Sequence, residues 1–452
     1  MNIIIIGLGT IGESVLESLS GEGHTVTLID EDRAKIEELI QKHDVMGVVG
    51  NGACMEIQRE AGAKSADLVI ALTHSDELNI LACLVAKRLG VRNTVARVRN
   101  PDYKQQISEM KEELGISMVI NPERETASEI FNLIRLPSIA QIEHFAKGKV
   151  SLVEVVAEAG CSLIGETLVS LGKKLSTKVL ICAVQRGTQV FIPTGHFAIE
   201  EDDRIYFTSE AKALDDFLAE VNLLRSPIKD VMIVGGGKIG YYLASELSKK
   251  KKYRIKLIEE NHEVAEELAE LLPRVTVIEG NGCSHSLLLE EGIEEMDAFV
   301  ALTDTDEENM VVSMFANKMN VRKTITQIRS DDLYDMLVEL DIQNNVSPKN
   351  IVSGSILSYI RALANKRGSN VLTLYRLVNN QVEAMEFLVK KKESVYGKPL
   401  KDLKIKDNSL IACITRGEQI IIPDGNTCIE MGDNVVVVTT HKNFDDLMDV
   451  FE

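Results

Sequence analysis

Short apolar runs alternate with longer amphipathic segments along the first part of the chain. The runs are rich in valine, isoleucine and leucine without interleaved polar residues, a pattern typical of strands buried on both faces of a parallel sheet. Between two of them, the segment from Asp76 to Leu89 predicts a helix, and Gly90 stands where a helix C-terminal cap favours positive φ. The runs lie at residues 3–6, 26–29, 45–49, 68–71, 94–98 and 118–120.

The same alternation returns after residue 230, with short motifs in the same order. The sequence IGLGTIG at 6–12 recurs as VGGGKIG at 234–240, and the GNG triplet at 50–52 recurs at 280–282. A repeat that preserves both motifs and strands covers a complete fold, so two Rossmann-like domains are predicted. The apolar runs of the second copy lie at 231–234, 255–258, 275–278, 299–301 and 324–328.

A smaller repeated unit follows each of these domains. In each, apolar runs flank an Arg-Gly pair, at Arg186-Gly187 and Arg416-Gly417, which predicts a β-hairpin. Modules of this size often need a partner to bury enough apolar surface, so we expect dimerisation through them. Helical segments are expected before the hairpins at 167–174 and 399–403, and further strands after them at 203–207 and 434–438.

The order of units along the chain is therefore large, small, large, small. The predicted fold class is α/β, with two Rossmann-like doubly wound parallel-sheet domains that are each followed by a small α+β domain. The expected domain ranges are 1–123 for the first Rossmann-like domain, 141–225 for the first small domain, 228–349 for the second Rossmann-like domain and 366–452 for the second small domain.

Composition and charge narrow the functional classes. Of the 452 residues 45% are hydrophobic, and the formal net charge is −19. No segment approaches the roughly 20 apolar residues that span a bilayer, and no signal-peptide pattern is found, so we expect neither a membrane-spanning nor a secreted protein. The acidic balance argues against nucleic acid as a partner, because binding to the phosphate backbone needs clustered Lys and Arg. Seven cysteines without CxxC spacing predict neither a disulfide framework nor a cysteine zinc site.

The first glycine motif follows a predicted strand and opens a predicted helix, the context that a dinucleotide-binding fingerprint requires. Gly7 permits a tight turn, Gly9 permits close approach to a pyrophosphate, and Gly12 permits close helix packing. The helix that opens at Thr10 and Ile11 offers free backbone N–H groups and a positive dipole end to phosphate. The motif therefore predicts nucleotide binding.

An acidic residue ends the second predicted strand of each copy. Asp30 can accept hydrogen bonds from both hydroxyls of an adenosine ribose, which favours NAD or an adenine nucleotide over NADP. Glu259 occupies the same place in the second copy, so a second nucleotide site is predicted there. The alternative for that copy is a glycine turn retained only for assembly. The fingerprint positions of the second copy are Gly235, Gly237, Lys238, Ile239 and Gly240.

The two copies differ at the end of the fifth predicted strand. Arg97 and Arg99 of the first copy correspond to Gln327 and Arg329 of the second, so one arginine able to bind a terminal phosphate is absent from the second site. Different nucleotide preferences are therefore expected at the two sites.

Four polar residues follow the third and fourth predicted strands of the two copies, at the edge where open α/β sheets bind ligands. Amide and hydroxyl groups at this edge suit contacts to a base, a ribose or a phosphate. For the two asparagines the alternative is a structural role, because asparagine next to glycine also caps helices and forms left-handed turns. The four candidates are Asn51, Thr73, Asn281 and Thr303.

These motifs and their order closely resemble the RCK, or KTN, domain family that regulates potassium conductance, and the tandem arrangement resembles the regulators of Trk potassium uptake. The resemblance covers nearly the entire chain. It implies a cytoplasmic regulatory subunit, not an enzyme, that is peripheral on the inner face of the cell membrane. It further implies a homotetramer beneath an integral-membrane potassium-translocating subunit of the TrkH/TrkG type. NAD(H) and ATP or ADP are the implied ligands, at the glycines, Asp30, Asn51, Thr73, Arg97, Arg99 and Glu259.

Two other functional classes share parts of this pattern. An NAD-dependent oxidoreductase needs an acid, a base or a metal near the nicotinamide, and His74 is the best candidate, although the second copy has Asp304 in its place. Cys283 and His285 could form half of a metal site, but no further ligand spacing supports one. An NAD-responsive transcription factor needs a basic recognition helix, which the sequence does not show. No catalytic or metal-ligating residue is therefore predicted.

Overall fold

The computed structural model describes residues 1–20, 23–100, 103, 107, 109–110, 113–135, 139–145, 148–210, 212–223, 227–339, 344–365, 371–378, 381–390, 395–442, 444 and 446–452. The chain forms two compact units, Met1–Ile134 with Ile228–Leu357, and Arg135–Pro227 with Ser358–Glu452. The first unit contains two parallel sheets and the second contains two antiparallel sheets. None of the helices in these ranges is long and apolar enough to cross a membrane.

The first parallel sheet has the strand order β3-β2-β1-β4-β5-β6, with every neighbouring pair parallel. This order changes direction between β1 and β4, which leaves a crevice at the carboxyl ends of the strands. The six predicted strands are confirmed within one or two residues: β1 Asn2–Ile6, β2 Thr25–Asp30, β3 Met46–Val49, β4 Leu68–Ala71, β5 Asn93–Arg97 and β6 Met118–Ile120. The helices are Thr10–Leu19, Arg33–Lys42, Met55–Glu60, Asp76–Leu89 and Pro122–Arg135, with a short 3-10 helix at Ala63–Ser65.

The predicted helix Asp76–Leu89 shows how local sequence sets element boundaries. The Ser75 hydroxyl accepts a hydrogen bond from the Leu78 N–H at 3.2 Å, which satisfies one of the free amides of the first turn. Gly90 ends the helix with φ of 103°, a conformation that glycine adopts without steric cost. Both ends of this helix were predictable because each depends on one nearby residue.

The second parallel sheet repeats the first, in the order β14-β13-β12-β15-β16-β17. Five strands match the predicted runs, and the two-residue β17 was not predicted because it is too short to show a pattern. The strands are β12 Asp230–Val234, β13 Arg254–Glu259, β14 Thr276–Glu279, β15 Ala298–Ala301, β16 Lys323–Gln327 and β17 Asn345–Val346. The helices are Lys238–Ser248, His262–Leu271, His285–Glu290, Asp306–Lys318, Asp331–Glu339 and Pro348–Asn365, with a 3-10 helix at Ile293–Glu295.

The last helix of the first repeat packs against the second repeat. Ile130 and Ile134 of the helix Pro122–Arg135 are buried in one core with Ile233 and Leu243 of the second copy. Ile130 is 0% exposed, so this contact is part of the interior and not a surface contact. The two Rossmann-like repeats are therefore joined by a shared hydrophobic core.

The second unit contains two five-stranded sheets, ordered β10-β9-β11-β8-β7 and β18-β19-β22-β20-β21. The sequence predicted the hairpins and the strand after each, but not the other two strands of each sheet. The strands are β7 Ile139–Phe145, β8 Val150–Val156, β9 Leu180–Arg186, β10 Gln189–Phe191, β11 Arg204–Glu210, β18 Val371–Leu377, β19 Val382–Leu388, β20 Ser409–Arg416, β21 Gln419–Ile421 and β22 Asn434–Thr439. The helices are Leu168–Lys174 and Leu214–Glu220, with 3-10 helices at Leu400–Asp402 and Leu447–Val450.

The helical segment expected at 399–403 differs from the structure, which has only one 3-10 turn there, after Pro399. The Arg-Gly hairpins are confirmed as β9–β10 and β20–β21. In the first of them Arg186 makes two hydrogen bonds of 2.7 Å to Asp203, whose side chain is fully buried. Arg416 makes the corresponding pair with Asp433 at 2.9 Å. These bidentate contacts tie each hairpin to the start of the next strand.

Candidate functional site

The first glycine motif forms a tight turn between β1 and the helix Thr10–Leu19. Gly7 has φ of 91°, and a Cβ there would lie 2.7 Å from the Thr73 nitrogen. A Cβ on Gly12 would lie 2.2 Å from the Gly7 oxygen, so this glycine lets the helix approach the turn. At Gly9, by contrast, a Cβ would meet nothing within 4 Å. Gly7 and Gly12 are therefore required by the fold, whereas Gly9 leaves open space beside the helix N-terminus.

The second copy has the same geometry. Gly235 has φ of 106°, and its Cβ would lie 2.4 Å from the Leu302 oxygen. A Cβ on Gly240 would lie 2.2 Å from the Gly235 oxygen, and Gly237 again faces open space. The helix that begins at Lys238 therefore has open space at its N-terminus, as the helix beginning at Thr10 does. We call the space beside Gly9 the first cradle and the space beside Gly237 the second cradle. Ile11 and Ile239 occupy the second position of these helices.

A carboxylate stands next to each glycine turn. Asp30 accepts a hydrogen bond from the Leu8 N–H at 2.6 Å with one oxygen and from the Asp32 N–H at 3.0 Å with the other. Glu259 accepts from the Gly236 N–H at 2.7 Å and from the Asn261 N–H at 2.8 Å. Because a carboxylate oxygen has two acceptor positions, each oxygen retains one for a ligand hydroxyl. The longer glutamate thus reproduces the anchoring of the aspartate.

Asn51 and Asn281 each form a local turn through the side chain, and neither caps a helix or has the positive φ of a left-handed turn. The Asn51 side-chain oxygen accepts from the Ala53 N–H at 2.9 Å, and that of Asn281 accepts from the Cys283 N–H at 2.7 Å. The neighbouring Gly52 is held tightly, because a Cβ there would lie 2.1 Å from Ile6. The turn begins at the end of β2, since the Gly50 N–H donates to the Asp30 carbonyl at 2.8 Å.

Thr73 and Thr303 lie two residues past the fourth strand of each copy, and each is hydrogen-bonded to a buried asparagine. The Asn79 side-chain oxygen accepts from the Thr73 N–H, and its nitrogen donates to the Thr73 carbonyl at 3.1 Å and to the Arg97 carbonyl at 2.9 Å. Asn309 makes the same bonds to Thr303 and Gln327. The sequence interpretation missed both asparagines, although each stands six residues after its threonine.

Arg97 is half-buried at the carboxyl edge of the first sheet. Its guanidinium contacts the Thr73 carbonyl at 3.5 Å and Glu123 at 3.9 Å. Burial lowers the pKa of Arg97, an effect that the nearby Glu123 opposes. Among the described residues, Arg97 Nε and one oxygen of Glu123 have no hydrogen-bond partner although they are buried. The site therefore retains donor and acceptor capacity that a bound group could use.

Arg99 is held by its backbone and its side chain. Asp76 accepts hydrogen bonds of 2.8 Å from the backbone N–H groups of Arg99 and Asn100, and its other oxygen lies 3.6 Å from Arg99 Nε. The Arg99 side chain also donates to the His74 carbonyl. Asp76 thus positions the arginine-containing loop, a role that the sequence did not predict.

The second copy has a different edge. Gln327 replaces Arg97 and is buried, and with its amide oxygen turned toward Arg329 it accepts from that guanidinium at 3.1 Å. At the position that corresponds to Glu123, the second copy has Lys349, which forms an ion pair of 2.6 Å with Asp331. The second site therefore has the same glycine turn and carboxylate as the first but a different charge arrangement at the end of the fifth strand.

The candidates for catalysis or metal binding do not form a cluster. No group of three or more His, Cys, Asp or Glu side chains suited to a metal occurs within the described part of the chain. His74 is exposed and contributes a backbone carbonyl to Arg99. The His285 ring lies 5.1 Å from the Phe315 ring, and burial raises the pKa of Cys283.

The carboxyl edge of each parallel sheet thus brings together the glycine turn, the acidic residue, the GNG turn and the threonine. Gly7 lies against Thr73, Thr73 contacts Arg97, and Asp30 contacts the glycine turn. All of the predicted binding residues of the first copy lie at this edge. Their contacts with a ligand stay predictions.

Comparison with known proteins places the chain among potassium transport proteins. Residues 3–122 and 231–348 match the TrkA-N domain, and residues 152–222 and 384–452 match the TrkA-C domain. The chain is 33% identical over 451 residues to the Trk system potassium uptake protein TrkA of Vibrio alginolyticus, covering 98% of this chain and 97% of that protein.

Two solved structures of the GsuK channel share the fold. The channel bound to NAD superposes with a TM-score of 0.63 at 17% identity, covering 98% of this chain and 77% of that chain. The channel bound to ADP superposes with a TM-score of 0.51 at 14% identity, covering 81% of this chain and 70% of that chain. At these identities the likeness shows the fold alone.

Proposed function

Because the chain belongs to the TrkA family of Trk-system potassium uptake proteins, we propose that it is the nucleotide-sensing regulatory subunit of a Trk-type potassium transporter. It binds NAD(H) and ATP or ADP and gates a membrane-embedded, potassium-translocating subunit. The duplicated cradle carries this proposal: in both copies a glycine that faces open space lies at a helix N-terminus, beside a carboxylate anchored to the same turn.

The residues divide between the parts of an adenine nucleotide. The helix N-termini after Gly9 and Gly237 are suited to a pyrophosphate, because they offer unpaired N–H groups and a positive dipole end. Asp30 and Glu259 have acceptor positions left for ribose hydroxyls. Arg97 and Arg99 lie at the same edge and are suited to a terminal phosphate in the first site. NAD bound to the GsuK channel and ADP bound to the GsuK channel support these two ligand classes.

Regulation by such ligands requires differential affinity. A ligand shifts an equilibrium between two arrangements only if it binds one more tightly than the other. An adenosine and a pyrophosphate would be bound in both arrangements, whereas an additional phosphate next to Arg97 and Glu123 would change the local charge. That charge difference makes ATP and ADP distinguishable to the protein.

Exposed apolar side chains support assembly into a homo-oligomer, which we propose to be a tetramer on the inner face of the membrane. Leu81 and Leu84 are exposed on the helix Asp76–Leu89, and Val311 and Met314 are exposed at the corresponding places of the second copy. Repeated exposed apolar residues of this kind mark interaction surfaces. The mass of the assembled protein in solution, measured by light scattering, tests this part of the proposal.

Calorimetric titration of the full chain with NADH, ATP and ADP tests ligand binding. We expect saturable binding of each ligand, and we expect Asp30→Asn, which removes the charge but keeps the shape, to weaken that binding.

Co-purification with the membrane subunit, followed by potassium flux in vesicles with each nucleotide, tests gating. A chain that binds none of the three nucleotides, or a flux that no nucleotide changes, would contradict the proposal.

Catalysis is the competing hypothesis. An oxidoreductase would need an acid or base next to the glycine turn, and His74 is exposed and replaced by Asp304 in the second copy. Incubation of the chain with NADH or NAD and candidate substrates, followed at the nicotinamide absorbance, distinguishes the two. Substrate-dependent turnover would favour the enzyme over the regulatory subunit.

A further inference from the structure

A tyrosine of the second repeat reaches the edge of the first nucleotide site. Tyr242 lies on the helix Lys238–Ser248, and its hydroxyl donates to the Arg99 carbonyl at 3.3 Å. The same hydroxyl accepts a hydrogen bond from the Asn121 side chain at 3.4 Å. Asn121 also donates to the Arg99 carbonyl at 3.1 Å, so three groups meet at one point. A residue of one repeat thus takes part in positioning the arginine loop of the other.

The Arg99 peptide units are bound on both sides. Asp76 accepts a hydrogen bond from the Arg99 N–H at 2.8 Å, while Asn121 and Tyr242 both donate to the Arg99 carbonyl. A backbone segment held at both the donor and the acceptor side has little freedom to move independently. Displacement of Tyr242 would therefore be transmitted to the Arg99 backbone, and displacement of Arg99 to Tyr242.

Tyr242 is also tied to the second site. Its helix begins at Lys238, directly after Gly237, the open glycine of the second cradle, and Gly240 packs against the Gly235 turn. The helix body is buried with the helix Pro122–Arg135, which begins immediately after Asn121. The second cradle and the Arg99 loop are therefore joined through packed elements.

A second contact joins the helix of the first cradle to an element of the second repeat. Ser14, on the helix that opens at the first cradle, lies 3.2 Å from Ser353 on the helix Pro348–Asn365, with both side chains buried. The helix Pro348–Asn365 follows β17 at the edge of the second site. Each cradle helix therefore touches an element from the edge of the other site.

We propose that Tyr242 is a positioning residue of the first nucleotide site, contributed by the second repeat, and that it couples ligand binding at the two sites of one chain. This inference rests on the proposed nucleotide binding. The hydroxyl holds the Arg99 loop in the arrangement that accepts phosphate, and occupation of the second cradle changes the position of the Tyr242 helix. Binding at one site then changes the affinity of the other.

The positioning role is tested by titrating ADP into the full chain carrying Gly237→Ala, whose methyl group enters the second cradle and weakens binding there, so that the first site is the tighter one. Tyr242→Phe in this background should weaken ADP binding by about 3- to 10-fold, the ratio expected for loss of one hydrogen bond. Tyr241→Phe is the matched control, because the Tyr241 hydroxyl has no hydrogen bond to any residue in the described ranges, and it should leave the affinity unchanged.

The coupling is tested by comparing two affinities of the first site for ADP: one with the second site intact, and one with the second site weakened by Gly237→Ala. Their ratio measures the coupling. Reciprocity requires the same ratio at the second site, measured with Gly9→Ala in the first. We expect a ratio of about 5 or more in the otherwise unchanged chain, a ratio near unity with Tyr242→Phe, and no change with Tyr241→Phe. A purely structural tyrosine would alter stability without altering this ratio.

The outcomes separate the two proposals. If ADP binds at both sites but the coupling ratio is the same in the Tyr242→Phe and Tyr241→Phe chains, the coupling is overturned. Nucleotide binding would then remain in place. Failure of the unaltered chain to bind ADP would overturn nucleotide binding and the coupling with it.

Discussion

At the residue scale, glycines in the same motif have different tasks. Gly7 and Gly12 are enclosed, since a Cβ on either would lie within 2.7 Å of backbone atoms. Gly9 has extended backbone angles and open space around its Cα. The motif therefore combines two positions that the fold requires with one that a bound phosphate would require. Substitution separates these roles.

Gly9→Ala should preserve the fold and weaken ADP binding at the first site by at least about tenfold, a change of roughly 1.4 kcal/mol. The added methyl group enters the open cradle without touching the protein. Gly12→Ala, the matched variant, should instead destabilise the chain by about 1–3 kcal/mol, because the methyl group would overlap the Gly7 oxygen. Calorimetric titration and urea unfolding of both variants measure the two effects. Equal affinity losses without any stability difference would contradict the assignment.

Arg97→Ala should leave the affinity for NAD nearly intact and abolish the difference between ATP and ADP. The reason is that we assign Arg97, which contacts the Thr73 carbonyl, to a terminal phosphate, and Asp30, which anchors the glycine turn, to the ribose. Affinities from titration of each nucleotide provide the measurement, and Arg88→Ala, on the exposed end of the helix Asp76–Leu89, is the control. A ratio of ATP to ADP affinity that survives in Arg97→Ala would refute this role.

At the element scale, the end of one helix holds a segment that is distant in sequence. Glu220 ends the helix Leu214–Glu220, and its carboxylate accepts hydrogen bonds from the Ser176 N–H at 2.6 Å and the Thr177 N–H at 3.1 Å. These backbone donors lower the pKa of Glu220 to about 2. The two segments are thereby connected by a charge-assisted contact.

The depressed pKa of Glu220 predicts a pH-dependent contribution to stability. The ionised group stabilises the fold fully above its ordinary pKa of 4.5, and this contribution is lost as pH falls toward about 2. The stability gap between the unaltered chain and Glu220→Gln should therefore be present at neutral pH and shrink below pH 4.5. Urea unfolding at several pH values measures it, with the exposed Glu201→Gln as control. A gap that does not change with pH would contradict the assignment.

The small sheets show why whole elements escape sequence patterns. Along β8, Val153 and Val155 face one hydrophobic core, while Val150 and Leu152 face a second core that is shared with Ala384. Because both faces are buried, the strand shows no alternation of apolar and polar residues. Thr208 of β11 donates to the Ala412 carbonyl at 2.8 Å across the same shared core. Pairing of the two small sheets was therefore not predictable residue by residue.

At the scale of the whole molecule, duplication has produced a joint interior. Ile130 belongs to the first repeat by sequence but is buried with Ile233 and Leu243 of the second. Glu125 of the same helix accepts a hydrogen bond from Ser355 at 2.9 Å, and burial raises the pKa of Glu125. The second repeat is therefore not a passive copy, because part of its core is supplied by the first.

Ile130→Ala should destabilise both repeats, by about 3 kcal/mol, because it leaves a cavity in the shared core. Hydrogen exchange followed by mass spectrometry should show reduced protection in β12 of the second repeat as well as in the mutated helix. Ile40→Ala, at a position that is 40% exposed, is the control and should change stability only slightly. Loss of protection confined to the first repeat would contradict the shared core.

The sequence alone determined the parallel sheets, the glycine turns, the acidic residues and the hairpins. Each is indicated by residues that are close along the chain, such as the glycines that follow β1 or the apolar run that forms β1. The duplication strengthened these predictions because two copies show the same spacing.

Only the tertiary structure decided which distant groups meet. Asn79 bridges the ends of two strands, Glu123 approaches Arg97, and Tyr242 crosses from one repeat to the other site. These contacts join residues that are far apart in sequence, and no spacing rule encodes them, because their geometry depends on how whole elements pack. The sequence therefore predicts where each site lies, and the packing decides which other residues position it.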